Sequence, residues 1–146
     1  MDLNYPRDTL LVDNLGNIDL LIVVSSKFKA FLESRNLKKV EYLPVTINNH
    51  KGRVASKDYY IIHPVEPVDC LDLEGSGAEM DFIAKSEVSS VERVVLDDTR
   101  IDYERELFKP SSFYEVTLVK RELAQAIDKM GFTGVRWLEM EDYPEI

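Results

Sequence analysis

Cysteine and histidine are scarce in this sequence of 146 residues, which contains one cysteine and two histidines. A single cysteine excludes an internal disulfide and favours a reducing cytoplasm as the compartment. A structural zinc site needs about four ligands at close-paired spacings, and Cys70, His50 and His63 stand apart along the chain. The sequence therefore predicts no metal site and no cofactor.

Long apolar runs and positive charge are also lacking. The longest purely apolar run covers residues 20–24, far short of the roughly 20 residues that cross a bilayer, and the N-terminus has no secretory pattern. The chain has 27 acidic and 18 basic residues and a net charge of −9. This charge repels nucleic acid and anionic membranes and favours a basic protein partner, although simple solubility is an equally good explanation of it.

Hydrophobic periodicity predicts an α+β fold in a single domain, with a mostly antiparallel sheet and two main helices packed on it. Residues 1–17 are expected to form a partly ordered N-terminal extension, and residues 18–146 the domain. Pro44 indicates an edge strand or a bulge, and the turn chemistry of residues 48–52 predicts a hairpin. The predicted strands are residues 18–24, 40–47, 58–63, 91–96, 114–119 and 135–140, and residues 69–81 are predicted to be a loop.

Two helices are predicted from capping residues and helical spacing. Ser25 or Ser26 can cap the first helix, and Asn36 is a plausible stop. The second helix covers residues 120–130 and is followed by Gly131, in the position of a C-terminal glycine. The residues expected to face inward are Phe28, Phe31 and Leu32 in the first helix, and Leu123, Ala126, Ile127 and Met130 in the second.

The two helical regions share an apolar pattern at a constant offset of 95 residues (119 − 24 = 95). The first region contributes Val24, Phe28, Leu32, Leu37, Val40 and Tyr42, and the second contributes Val119, Leu123, Ile127, Phe132, Val135 and Trp137. Only apolar classes match. A pattern common to any two short strand–helix–strand units is therefore the favoured interpretation.

A cysteine nucleophile is one alternative for function. It would pair Cys70 with His63 in a small cysteine-dependent hydrolase or transferase. Cys70 lies between Val68 and Leu71, however, and apolar surroundings raise the pKa of a thiol and make it inert. A buried structural cysteine and a non-enzymatic protein are the favoured prediction.

Acidic residues concentrate in loops, where they can steer and hold a basic partner. The alternatives are ordinary solvated loops or an acidic structural adaptor. The candidate partner-binding residues are Glu74, Glu79, Asp81, Asp97, Asp98, Asp102, Tyr103 and Glu104.

Several short segments occur in an order that resembles a known family. They are "YLPV" at residues 42–45, "NHKG" at 49–52, "YYII" followed by "VDCLD" at 68–72, and "FTGVRW" at 132–137. Together they span roughly residues 18–138 and resemble a bacterial immunity-protein family of the Myxococcus type. Its members are found beside polymorphic toxins, and it was long known only as a domain of unknown function.

This resemblance implies an inhibitor that binds a cognate toxin in the cytoplasm and occludes its active site, without catalytic residues of its own. A basic toxin such as a nuclease fits the charge of −9. The resemblance also implies that "VDCLD" is a packing motif. Many family members carry an additional N-terminal segment before the matched part, so toxin contacts made by such a segment would be missing here.

Overall fold

The computed structural model describes residues 11–16 and 20–144. Within these described residues, two helices and eight strands confirm the α+β fold, and two short 3-10 helices lie at Asp98–Arg100 and Met140–Asp142. In chain order the elements are β1 Asn14–Leu15, β2 Ile22–Ser25, α1 Ser26–Ser34, β3 Val40–Asn48, β4 Val54–Pro64, β5 Glu79–Met80, β6 Val88–Ser90, β7 Leu107–Phe108, β8 Leu118–Val119 and α2 Arg121–Lys129.

The main sheet has the order β1-β2-β4-β3, and its neighbouring strands are antiparallel. The long hairpin of β3 and β4 confirms the predicted one. Pro44 lies in β3 at the edge of the sheet, where a residue without an N–H is tolerated. The register shifts between Val45 and Ile47, one residue beyond Pro44.

Both helices begin and end close to the predicted residues. The Ser25 side chain accepts a hydrogen bond from the Phe28 N–H at the start of α1. Asn36 and Gly131 follow the two helices with φ angles of 53° and 71°, the left-handed conformation that ends many helices.

The prediction that Met130 faces inward is wrong, because its side chain is 54% exposed. The chain turns back at Gly131, and Phe132 stacks on Phe28 with a centroid distance of 4.4 Å. Phe132 therefore covers this end of the core, whereas Met130 points to solvent.

Two hydrophobic cores hold the fold together. The first lies between the main sheet and the helices and consists of Val24, Phe28, Leu32, Ile62, Leu107, Leu123 and Ile127. The second is built from loops and short bridges and consists of Leu71, Val88, Val91, Val94 and Phe113.

The correspondence between residues 95 positions apart holds for core packing and for backbone conformation. Eleven of the twelve paired residues belong to the first core or pack against it, the exception being Trp137. The left-handed residues also match, Asn36 with Gly131 and Lys39 with Gly134. The two units therefore share a turn geometry as well as apolar classes.

The strand predicted at residues 91–96 is wrong, because the strand in this region is β6. The buried Ser76 explains the difference. Its hydroxyl donates to the Val95 carbonyl and accepts from the Val95 N–H, and its own carbonyl accepts from Glu92 and Arg93. One residue thus satisfies backbone groups that a neighbouring strand would otherwise bind.

The strand predicted at residues 135–140 is also wrong, since this segment joins none of the described sheets. Side chains hold it to α2 instead. Trp137 Nε1 donates to Asp128 at 2.6 Å, and Arg121 binds Glu139 through both terminal nitrogens. The strand predicted at residues 114–119 is shorter than expected, because only β8 pairs, with β7. The loop predicted at residues 69–81 ends in β5.

The N-terminal segment 11–16 contributes to the sheet and to a buried polar network. Asp13 is 6% exposed, and its carboxylate accepts hydrogen bonds from Ser25 Oγ at 2.8 Å and from the Thr133 N–H at 2.9 Å. Asp13 therefore ties the start of α1 to the turn after α2. Residues 1–10 and 17, which complete the predicted extension, lie outside the described residues.

Candidate protein-binding surface

The hairpin of β5 and β6 projects from the second core. Glu79 pairs with Ser90 and Met80 with Val88, and the buried Val88 belongs to the core. The tip of this hairpin, residues 81–87, carries Phe82 and Ile83 with exposed fractions of 94% and 91%. It is the most exposed apolar pair among the described residues.

Asp81 shapes this tip. Its Oδ1 accepts hydrogen bonds from the backbone N–H groups of Ile83 and Ala84, both at 2.8 Å. The bond from Ala84 and then that from Ile83 lower the pKa of the Asp81 carboxyl. Much of the capacity of this carboxylate is used within the turn, so Asp81 positions the tip.

Glu74 and Glu79 are exposed on the approach to the tip. Neither forms an ion pair with another described side chain, whereas their backbone carbonyls bind Gly77 and Ser89. Their carboxylates therefore have no basic partner within the described chain, and their role in binding a partner stays a prediction.

The second predicted acidic group surrounds the 3-10 helix at Asp98–Arg100. Asp97 caps this helix, since its carboxylate accepts from the Thr99 hydroxyl at 2.5 Å and from the Thr99 N–H at 3.0 Å. These bonds, together with the charge of Arg100, lower the pKa of Asp97. Asp98 is exposed and forms none of the ion pairs found among the described residues.

Asp102, Tyr103 and Glu104 follow in the next turn. Asp102 accepts from the Glu104 N–H at 3.0 Å, Glu104 forms an ion pair with Lys38, and Tyr103 is 74% exposed. Three of the predicted acids thus fix local turns and a fourth has a basic partner within the chain. Glu74, Glu79 and Asp98 remain with unengaged carboxylates.

The eight predicted residues do not form one cluster. Their two loops start side by side, where Leu71 bridges Leu96 and the Asp97 N–H donates to the Cys70 carbonyl at 2.7 Å. Beyond this point, no hydrogen bond or ion pair within the described chain joins the side chains of the two groups. The acids therefore form two acidic patches, residues 74–81 beside the second core and residues 97–104. In the second patch, Glu104 pairs with Lys38 and the Tyr103 carbonyl accepts from Lys120, next to the helices.

Cys70 and His63 do not form a nucleophile and base. The Cys70 thiol is fully buried, and burial followed by the charge of Asp69 raises its pKa. His63 is exposed on β4, opposite Glu41, and no hydrogen bond joins it to Cys70. Over residues 11–16 and 20–144, no three His, Cys, Asp or Glu side chains are grouped to hold a metal ion.

A groove of about 800 Å³ is lined by residues of both cores, including Phe28 and Leu107 of the first and Val94 of the second. Its described lining contains no histidine, cysteine or serine and is mainly apolar. The buried Arg105 also lines it, and its terminal nitrogens donate to the Val65 and Glu66 carbonyls at 2.9 Å.

No helix in the described part of the chain has the length and apolarity to cross a bilayer.

The profile of a family described as "Immunity protein family (Imm11)" matches residues 4–142. A comparison with curated proteins finds no match.

Proposed function

Because the chain belongs to the Imm11 immunity protein family, we propose that it binds a cognate bacterial toxin in the cytoplasm and occludes the active site of that toxin. The family match over residues 4–142 carries this proposal. It covers both cores and both acidic patches, so the matched unit includes the whole candidate surface.

Charge supports a basic toxin as the partner. The chain carries −9, and Glu74, Glu79 and Asp98 present carboxylates that no described basic side chain neutralises. Such groups accelerate association with a positively charged surface and lower the affinity for wrong partners. A nuclease suits this proposal, because carboxylates can take the positions of the phosphates that a nuclease binds.

A non-enzymatic mechanism is the better explanation of the Cys70 region. The thiol is buried and lies without a hydrogen bond to His63, whereas a catalytic cysteine needs a nearby base and access to substrate. No observation favours the hydrolase or transferase alternative. An acidic structural adaptor is the remaining alternative, and the protection assay separates it from an inhibitor.

The test is co-expression with a candidate toxin domain, chosen from the genes that neighbour the gene of this chain because it arrests growth when expressed alone. The wild-type chain and Cys70→Ala should both restore growth. Growth arrest that persists in the presence of folded wild-type chain would refute the proposal. Protection that disappears with a folded Cys70→Ala chain would support the enzyme instead.

Charge reversal tests the acidic patches separately from folding. Glu79→Lys with Asp98→Lys should slow association about tenfold at low salt and reduce its salt dependence. The matched control is Glu41→Lys with Asp58→Lys, which makes the same charge change on exposed residues of the β3–β4 hairpin. Equal association rates for the two double variants would show that the patches do not form the contact surface.

A further inference from the structure

We propose that the tip of the β5–β6 hairpin is the apolar anchor of the complex, with Phe82 and Ile83 inserting into an apolar pocket of the toxin. This inference rests on the proposed function. The inference adds a specific contact to the proposed function, because the acidic patches explain attraction to a basic toxin but provide no buried centre for the interface.

Phe82 and Ile83 are almost fully exposed. Their side chains are 94% and 91% exposed, and neither belongs to a hydrophobic core or packs against one. Folding of the isolated chain therefore gains little from them. Large apolar side chains at the centre of a patch are the residues that most often dominate protein–protein binding.

Hydrogen bonds within the hairpin hold the tip in one conformation. Asp81 holds the backbone of Ile83 and Ala84, the Asp81 N–H donates to the Glu87 carbonyl at 2.7 Å, and the Glu87 N–H donates to the Ala84 carbonyl at 2.8 Å. At the base, Val88 is buried and its N–H donates to the Ser112 carbonyl at 2.8 Å. A tip that is ordered before binding loses little conformational entropy when it binds.

The charges around the tip define the chemistry of the pocket. Glu79, Asp81 and Glu87 flank the apolar pair, and Lys85 is the one basic residue between positions 79 and 87. The complementary site is an apolar pocket with a basic rim, on a protein. The same negative rim disfavours a membrane, since anionic headgroups would repel it.

The experiment measures the affinity of the full chain for the candidate toxin domain used in the co-expression test. Phe82→Ala with Ile83→Ala should weaken binding about thirtyfold or more, the effect of removing an interface anchor. The matched control is Val54→Ala with Met130→Ala, which removes apolar area from two sites that are both 54% exposed. The control should bind as the wild type does, and both variants should keep the wild-type unfolding temperature.

Two variants of Asp81 distinguish a role in positioning the tip from an effect of the negative charge. Asp81→Asn removes the charge but keeps an oxygen that can accept from Ile83 and Ala84, so binding should stay within about threefold of wild type. Asp81→Ala removes the acceptor and should weaken binding more than Asp81→Asn does. Equal losses for both variants would show that the carboxylate acts by its charge.

The outcomes distinguish this inference from the proposed function. If wild-type chain neither binds the toxin domain nor protects against it, the proposed function fails and the inference falls with it. If wild type binds and the Phe82/Ile83 double variant binds equally well, only the inference is overturned. It is also overturned if the double variant leaves toxin binding unchanged but abolishes binding to phosphatidylcholine vesicles, or self-association measured by sedimentation.

Discussion

The two hydrophobic cores are built in different ways. The first is enclosed by the four-stranded sheet and two nine-residue helices, whereas the second is enclosed by two short strands, single bridges and the bonds of Ser76. Regular elements satisfy their own backbone, and their side chains can all be used for packing. The irregular core leaves longer connections on its surface, and the Phe82–Ile83 tip, Glu74 and Glu79 lie on these connections. The second acidic patch begins beside this core at Asp97 and ends near the helices, where Glu104 pairs with Lys38.

The difference suggests a division of roles between the regions. We expect side chains of the first core to determine stability with little direct effect on binding. Exposed side chains around the second core should affect binding with little effect on stability.

Leu123→Ala should cause the largest loss of stability. Leu123 is fully buried in the first core, and replacing a buried leucine by alanine lowers the free energy of unfolding by about 2–5 kcal/mol. The control is Leu73→Ala near the second core, which is 44% exposed and should change it by less than about 1 kcal/mol. Urea unfolding measures both, and similar losses for the two variants would break the comparison.

Asp13→Ala should come next, because the side chain connects the two strand–helix units. Its removal leaves the Thr133 N–H and Ser25 Oγ without their acceptor, at a cost of about 1–3 kcal/mol. Asp13→Asn, which keeps one oxygen acceptor, should cost less. Thermal unfolding of the three chains gives the order directly, and an alanine variant as stable as wild type would contradict it.

The same residue predicts the direction of a pH effect. Burial acts to raise the pKa of Asp13, but bonds from Thr133 and Ser25 and the charge of Lys27 outweigh it, and the pKa is lowered from 3.8. The ionised form is thus favoured in the folded state. Its contribution is complete above the unfolded pKa and is lost as pH falls through the folded pKa. Wild type should therefore lose its advantage over Asp13→Asn in acid.

The helix caps offer a smaller contrast between the units. Ser25 caps α1 through its side chain, whereas Lys120, its counterpart before α2, makes no capping bond. Ser25→Ala should cost about 1 kcal/mol, and Lys120→Ala less than about 0.5 kcal/mol. Chemical denaturation at neutral pH measures the pair. A larger loss for Lys120→Ala would mean that its bond to the Tyr103 carbonyl matters more than a cap.

Cys70 should show the smallest effect under native conditions. The buried thiol with its raised pKa should react with a thiol reagent far more slowly than a free thiol does. Full labelling in denaturant is the control. Labelling of the folded chain at the denatured rate would contradict the burial of Cys70.

Helix boundaries could be predicted from the sequence, whereas one strand could not. Ser25, Asn36 and Gly131 act within a few positions of themselves, so the helix boundaries followed from local chemistry. The strand at residues 91–96 was wrong because Ser76, a distant residue, binds that backbone. No local pattern indicates such a bond.

The sequence predicted only part of the candidate surface. Acidic composition identified the loops, but the turn-forming roles of Asp81, Asp97 and Asp102 depend on bonds that the folded loops create. Sequence reasoning missed Phe82 and Ile83. The available signal was an apolar pair beside Asp81 in an acidic, non-periodic segment, but a buried pair would have looked the same.

We propose that the toxin contacts the surface around the second core and the adjoining residues 97–104. Hydrogen exchange of the free and the toxin-bound chain is the measurement that tests this contact. The candidate toxin domain from the co-expression test is added above its dissociation constant, and exchange is compared segment by segment. We expect slower exchange at residues 79–90 and 97–104, with little change in α2 and the turn after it. Slowing confined to α2 and residues 130–137, with the β5–β6 hairpin unchanged, would contradict it.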